Sequence, residues 1–374
     1  MSQRPSYERY HRQMILPNFG LRVQRLLLKS KVLVIGAGGL GCPVLQYLVG
    51  AGVGYIGIVD GDQVSLSNLH RQTLFAIDDI GLNKAAVAAK KLSQLNSDVI
   101  IEAFTFHLTN HYALDVMKDY DIIVDGTDNF ATRYMINDAC VLLGKTLVYG
   151  AVSQYEGQVA VFNHLLPTGE PSANYRDIFP DPPKEGSVLN CVDAGVLGVL
   201  PGIIGSMQAA EVIKLITGIG EPLVNQLLTY QFNNHQVFTV KITPQSKTSS
   251  FIPTDATAFK AIDYVWLCSS PQNALEIGAA EFDQLTSQKN IDIVDVRELH
   301  ELPVVQTFNH LRIPLSDLKE SAGQLKNDTV VVFCQSGMRS LQAAKELSAL
   351  WGDTKRIYSL QGGILSWIRF AEKK

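Results

Sequence analysis

Glycines 36, 38, 39 and 41, the carboxylate of Asp60 and the thiol of Cys334 are the groups in this chain whose spacing could do chemistry. Gly36, Gly38, Gly39 and Gly41 allow backbone to approach a phosphate group closely. The helix expected behind them offers free N–H groups and a partial positive charge at its N-terminus. Asp60 stands about twenty residues further on, where nucleotide-binding βαβ units place a carboxylate against a ribose hydroxyl. Cys334 ends the apolar run TVVVFC and opens the loop CQSGMRS ahead of a helical pattern, SLQAAKELSAL. Backbone N–H groups at such a helix start stabilise an anionic sulfur, whether thiolate or persulfide. Arg339 closes that loop and adds positive charge.

These groups need elements to hold them. Residues 32–35 and 55–59 read as apolar strands with a helix over 40–49 between them. Further on, 99–104 reads as a strand, 110–118 as a helix and 120–124 as another strand. That strand carries DGTDN, Asp125 to Asn129, to its C-terminal end, where open α/β sheets place their ligands. By residue type DGTDN is a hydrogen-bonded turn feeding an N-cap for a helix over 131–143. Two strands are expected between 146 and 161. Residues 163–187 then hold five prolines and few apolar residues, a long loop of the kind that is functional or disordered. Cys191 comes next beside apolar residues, where a lone cysteine reads as packing. Residues 196–216 are the most apolar stretch, but Pro201, Glu211 and Lys214 make it a buried helix after a loop rather than a membrane span. Strands at 223–232 and 236–242 close a first domain, 1–243. Serine, threonine and proline mark 244–275 as a linker, and 276–374 form a second, smaller domain. At the start, 5–30 reads as helical, broken near Pro17 and Gly20. The fold class is α/β: a Rossmann-like nucleotide-binding domain plus a smaller α/β domain.

Composition narrows the function. With 374 residues, 46% of them apolar, the chain can bury more than one core. A net charge of −4 leaves no basic stripe and argues against nucleic acid as partner. Five scattered cysteines fit a reducing cytosol better than a disulfide framework, and no charged-then-apolar leader opens the chain. A cytoplasmic protein without membrane contact is expected.

The glycine turn alone would also suit an NAD-dependent dehydrogenase, but the run GDQVSLSNLHRQ after Asp60 does not. GAGGLGCP, Asp60, SNLHRQ (Ser67 to Gln72), Lys84 and DGTDN occur in one order, with YHRQ (Tyr10 to Gln13) ahead of them and NCVDAGVLG around Cys191 behind. Over roughly residues 5–243 the chain resembles the ubiquitin-activating-like superfamily, most closely its MoeB/ThiF branch. The resemblance implies an ATP-dependent adenylyltransferase that activates the C-terminus of a small ubiquitin-like sulfur-carrier protein ending in Gly-Gly. It implies that Gly36, Gly38, Gly39, Gly41, Asp60, Ser67, Asn68, Leu69, His70, Arg71, Lys84, Asp128 and Asn129 hold the nucleotide. Arg12, Arg71 and Lys84 would meet the triphosphate, Arg12 typically from the other subunit of a homodimer, and Asp128 would be the Mg²⁺ ligand. Cys191 would form a covalent bond to the carrier. Many relatives bind structural zinc through a Cys-x-x-Cys in the proline-rich loop and another near residue 265. This chain has Asn174 and Asp177 at the first pair and only Cys268 downstream, so no zinc is expected.

Residues 276–374, with IVDVRELHE, CQSGMRS and LQGGILSW, resemble a single-domain rhodanese, a sulfurtransferase. Phosphatases of related architecture separate their Cys and Arg by five residues. Cys334 and Arg339 are separated by four, and the tighter cup suits one sulfur better than a tetrahedral phosphate. Together the two resemblances imply adenylation and then persulfide transfer to give a thiocarboxylate, serving molybdopterin or thiamin-thiazole synthesis. A cysteine desulfurase or thiosulfate would supply the sulfur. A non-catalytic carrier-binding scaffold is the competing expectation, disfavoured by the presence of Arg12, Arg71, Lys84, Asp128, Cys191 and Cys334.

Overall fold

The computed structural model describes residues 7–180, 195–245, 251–264, 276–288 and 290–371. The chain divides into two compact units, Met1–Ser269 and Ser270–Lys374.

The first unit contains, in order, α1 (Tyr7–Met14), α2 (Gly20–Lys29), β1 (Lys31–Ile35), α3 (Gly41–Ala51), β2 (Tyr55–Val59), α4 (Lys84–Leu95), β3 (Ile100–Phe104), α5 (Asn110–Met117), β4 (Ile122–Asp125), α6 (Phe130–Leu143), β5 (Thr146–Ser153), β6 (Glu156–Phe162), α7 (Val199–Thr217), β7 (Gln226–Gln231), β8 (Gln236–Lys241) and α8 (Ala256–Ala261). Its strands make one sheet in the order β3-β2-β1-β4-β5-β6-β7-β8. Strands β3 to β5 are parallel, and β6, β7 and β8 continue as an antiparallel meander. Parallel strands need both faces covered, which is why β1 and β4 are almost uninterrupted apolar runs. On one face Leu27, Leu45, Leu48, Leu92 and Val212 bury their side chains; on the other Leu114, Met117, Tyr134, Ile136 and Cys140 do so. Because β1 pairs with both β2 and β4, the strand order reverses beside β1 and opens a crevice at the C-terminal strand ends.

Helix α7 has the length and hydropathy of a membrane span, but it packs as a core helix. Its Gln208 donates from Nε2 to the Asp125 carbonyl across 2.8 Å, and Glu211 accepts from the Leu223 amide at 2.8 Å. The expected N-terminal break falls between α1 and α2, where Asn18 and Gly20 have φ of 65° and 60°. Residues 251–264, within the span expected as linker, pack onto the first unit. Phe259 is fully buried, Asn110 Nδ2 donates to the carbonyls of Lys260 and Ile262 at 2.9 and 2.7 Å, and Tyr264 donates to Asp138 at 2.8 Å. Compositional enrichment in serine and threonine could not reveal those anchors.

In the second unit, the elements in chain order are β9 (Glu276–Ile277), α9 (Ala279–Leu285), β10 (Ile291–Asp295), β11 (Leu311–Arg312), α10 (Leu318–Ser321), β12 (Thr329–Phe333), α11 (Met338–Trp351), β13 (Arg356–Leu360) and α12 (Gly363–Ala371). The five strands form a parallel sheet, β11-β10-β12-β13-β9. Its central strand, β12, is TVVVF, buried from Val330 onward, and it delivers Cys334 to the sheet's C-terminal edge.

Candidate functional site

The crevice beside β1 is a cleft lined by Gly36, Gly38, Gly39, Asp60, Arg71, Lys84, Asp128 and Asn129, among other residues. Gly36 has φ +94°, and a Cβ there would lie 2.7 Å from the Gly126 carbonyl oxygen, so only glycine brings β1 and β4 this close. Gly41 starts α3, and a Cβ on it would stand 1.9 Å from the Gly36 carbonyl oxygen. Asp60, at the end of β2, accepts from the Ala37 amide at 2.8 Å and the Asp62 amide at 2.9 Å. Burial pushes its carboxyl pKa up, against those two hydrogen bonds and the charge of Lys84, which pull it down.

Lys84 opens α4, is 5% exposed, and pairs with Asp62 at 2.9 Å. Ser67, Asn68, Leu69 and His70 do not line this cleft. The 3-10 turn they build holds the next residues instead: the Asn68 carbonyl accepts from the amides of Arg71 and Gln72, both at 3.0 Å. Arg71 and Gln72 thereby line the cleft, Arg71 bonding back to the Ser67 carbonyl at 3.1 Å. The buried Gln72 Oε1 has no hydrogen-bond partner among the described residues. His70 lines a separate apolar groove with Val199, Ile203 and Met207. Arg12 is exposed on α1 and is not among the cleft-lining residues.

DGTDN forms the turn its residue types dictate. Asn129 caps α6, its side chain accepting from the Thr132 amide at 2.8 Å, and Asp125 accepts from Thr127 N at 2.9 Å and Thr127 Oγ1 at 2.6 Å. Asp128 is left exposed on the cleft wall. Underneath is a pair that the sequence reading does not place in the site: Arg133 Nε donates to Asp125 Oδ2 at 3.1 Å, with both side chains buried. Arg133 also donates to the Thr127 and Gly150 carbonyls and lies 5.0 Å from the Tyr149 ring centre. Burial alone would lower its pKa, but Tyr149 and Asp125 overcome that and raise it. The signal is present in FATRYMINDACVLL, where Arg133, Asn137 and Asp138 stand among buried apolar residues of one helix.

Among the described residues, no group of three or more His, Cys, Asp or Glu could hold a metal ion. The exposed carboxylate of Asp128 on a cleft lined by Gly36, Gly38 and Lys84 nevertheless fits Mg²⁺, which is held by one or two carboxylates plus phosphate oxygens. Asn174 and Asp177 form a capped turn: Asp177 accepts from Asn174 N at 2.8 Å, from Asn174 Nδ2 at 2.9 Å and from Gln245 N at 2.8 Å. Arg176 between them pairs with Asp138 at 2.7 Å, so this first half of the proline-rich loop is anchored in the core. Its remainder, with Cys191, and the downstream Cys268 lie outside the described residues.

In the second unit Cys334 is 1% exposed. The Gly337 amide donates to its Sγ at 3.1 Å and the Ser340 hydroxyl reaches it at 3.6 Å, while Ser359 donates to Ser340 at 2.9 Å. The loop is closed from behind by Gly362 and Gly363. Gly363 has φ +62°, and a Cβ on it would stand 2.5 Å from the Gln335 carbonyl. The amides of Ile364 and Leu365 donate to the carbonyls of Cys334 and Gln335. Arg339 makes a two-pronged pair with Glu301, at 2.5 and 2.7 Å. Glu301 is invisible as a site residue in the sequence because nothing along the chain links it to a loop 38 residues away.

The ThiF family matches residues 10–251, and the rhodanese-like domain matches residues 278–369. A sulfur carrier protein adenylyltransferase of Thermus thermophilus is 49% identical over 70% of this chain and 96% of its own length. A probable adenylyltransferase/sulfurtransferase MoeZ of Mycobacterium tuberculosis is 38% identical over 98% of this chain and 94% of its own. Drosophila grimshawi MOCS3, an adenylyltransferase and sulfurtransferase, is 38% identical over 96% of this chain and 83% of its own. Among solved structures, E. coli MccB with MccA-N7isoASN shares the fold at a TM-score of 0.56 and 23% identity, covering 65% of this chain and 74% of that one. With a glycine-lined cleft in one unit and, in the other, a buried cysteine whose sulfur accepts from the Gly337 amide, the chain belongs to the ThiF family and is an adenylyltransferase and sulfurtransferase with a C-terminal rhodanese-like domain.

Proposed function

We propose that the first unit adenylates the C-terminal glycine carboxylate of a small ubiquitin-like carrier ending in Gly-Gly, and that Cys334, as a persulfide, supplies the sulfur that converts it to a thiocarboxylate. The observation that carries this reading is the convergence of Gly36, Gly38, Asp60, Arg71, Lys84 and Asp128 on one cleft. A carboxylate is a poor acyl donor because attack on it must expel oxide. If its oxygen attacks the α-phosphorus of ATP, pyrophosphate leaves and the carbonyl acquires AMP as a leaving group. Asp60, after β2, would meet the ribose, and the glycine turn ahead of α3 the phosphates. Arg71 offers a planar fork and Lys84 a point charge to the triphosphate. Asp128 would hold Mg²⁺, which neutralises charge on the phosphates.

Arg12, outside its own cleft, fits a role in a partner subunit's site, which supports a homodimer. Attack by the Cys334 persulfide on the acyl-adenylate releases AMP and forms an acyl disulfide. Cys191 is the thiol proposed to attack that intermediate at the Cys334 sulfur: the S–S bond to the acyl sulfur breaks, its electron pair leaves with the thiocarboxylate, and the Cys191–Cys334 disulfide that forms is reopened by a dithiol reductant. The product suits molybdopterin or thiamin-thiazole synthesis in the cytoplasm, with a cysteine desulfurase or thiosulfate as the sulfur source. Carrier-dependent exchange of labelled pyrophosphate into ATP tests the first half: Asp128→Ala should nearly abolish it. Exchange that survives removes Asp128 from the metal role, and no exchange with any Gly-Gly carrier removes the adenylation reading.

A further inference from the structure

Arg339 follows the sulfur loop in the first turn of α11, and both arms of its fork are already taken. Nη1 and Nη2 donate to the two oxygens of Glu301 at 2.5 and 2.7 Å, and Glu301 Oε1 also accepts from the Glu298 amide at 2.8 Å. The segment bearing Glu301 is braced at both ends. Arg312 donates to the Glu298 and Leu299 carbonyls, and Arg297, itself buried on Asp295, donates to the Pro303 carbonyl at 3.1 Å. Glu301 is therefore held where it is by the backbone, with a side chain 18% exposed against 36% for Arg339.

We infer that Glu301 sets the donor class of Cys334: it withdraws the arginine fork from small inorganic dianions and leaves the site to sulfane sulfur carried on an organic thiol. This rests on the sulfurtransferase role of Cys334. With an organic persulfide, the Cys334 thiolate attacks the terminal sulfur. The donor S–S bond breaks, its electron pair leaves with the organic thiolate, and a new S–S bond forms on Cys334 with no net oxidation. With thiosulfate the same attack must expel sulfite, a dianion. Both the approaching donor and the departing product then need positive charge that Glu301 has neutralised.

The test uses the full chain, with glutathione persulfide and thiosulfate as probes and gain of one sulfur on Cys334 read by intact mass against time. In Glu301→Gln the ratio of thiosulfate to glutathione-persulfide rate constants should rise about tenfold, the effect of one uncancelled charge at a partly exposed site, and the rise should shrink as salt is added. Glu301→Asp, which keeps the charge, should hold the wild-type ratio. An unchanged ratio in Glu301→Gln with both donors still loading overturns the inference and leaves the sulfurtransferase role standing. Both rates falling together, with the ratio and its salt dependence fixed, makes Glu301 a loop brace only and also overturns it. No loading of wild type or variant by either donor removes the sulfurtransferase role and the inference with it.

Discussion

Arg133→Met is the substitution whose cost the structure defines most closely. Arg133 and Asp125 have side-chain exposures of 8% and 0%, and the guanidinium is further held by the Thr127 and Gly150 carbonyls. Methionine refills much of the volume between Phe130 and Tyr149 but leaves the Asp125 carboxylate buried with only the two donors of Thr127. Removing one member of a buried ion pair costs about 3–5 kcal/mol. In a folding unit of this size each kcal/mol shifts Tm by about 2–4 °C, so the first unit's transition should fall by about 6–20 °C.

The double variant Asp125→Asn with Arg133→Met should recover most of this loss, to within about 2 kcal/mol of wild type. It removes both charges and keeps an oxygen for Thr127. Differential scanning calorimetry of the full chain reads both values, and pyrophosphate exchange on the same samples reads the consequence for the turn that carries Asp128. A drop below about 2 °C in Arg133→Met, or a double variant as unstable as the sum of the singles, would refute a buried charge pair as the prop beneath Asp128.

Other parts of the molecule make further outcomes testable. Mixing Arg12→Ala and Asp128→Ala subunits should restore part of the exchange activity, because one composite site regains both residues; verified mixed dimers that stay inactive place Arg12 in its own subunit's site. Elemental analysis should find far less than one zinc per chain, since Asn174 and Asp177 satisfy each other and Gln245; stoichiometric zinc would contradict this. The Glu301 carboxyl is held down to about 2, first by its hydrogen bonds to Arg339, against an ordinary value of 4.5. A depressed carboxyl contributes stability above its unfolded value and loses it as pH falls through the folded one. The melting difference between wild type and Glu301→Gln should therefore be constant above about pH 5 and narrow toward pH 2, and a difference that widens on acidification contradicts the pairing.

Much of the first unit is legible in the sequence because a parallel sheet leaves a strong trace. Strands β1 and β2 have to be apolar on both faces, and the glycines between them have no other use in so apolar a context. The turn at Asp125–Asn129 is legible because Asn and Asp cap helices by their own short side chains. The chain hides contacts between residues far apart in it: Lys84 with Asp62, Arg133 under the Asp128 turn, Arg339 with Glu301, and the seating of Phe259 and Tyr264 in the first unit. Most of these pair side chains that composition alone would put in solvent. The motif SNLHRQ reads as one contact surface, but its first four residues shape a turn and Arg71 with Gln72 reach the cleft.

On the proposed function, one chain both activates a carboxylate and supplies its sulfur. Intact mass spectrometry of a Gly-Gly carrier after one turnover with ATP, Mg²⁺ and a persulfide donor measures this directly. Wild type should convert the carrier to its thiocarboxylate. Cys334→Ala should leave pyrophosphate exchange intact and yield no thiocarboxylate. Cys191→Ala should exchange normally but release product slowly. Thiocarboxylate formed at the wild-type rate by Cys334→Ala would contradict the account, because the sulfur would then come from outside the rhodanese-like domain.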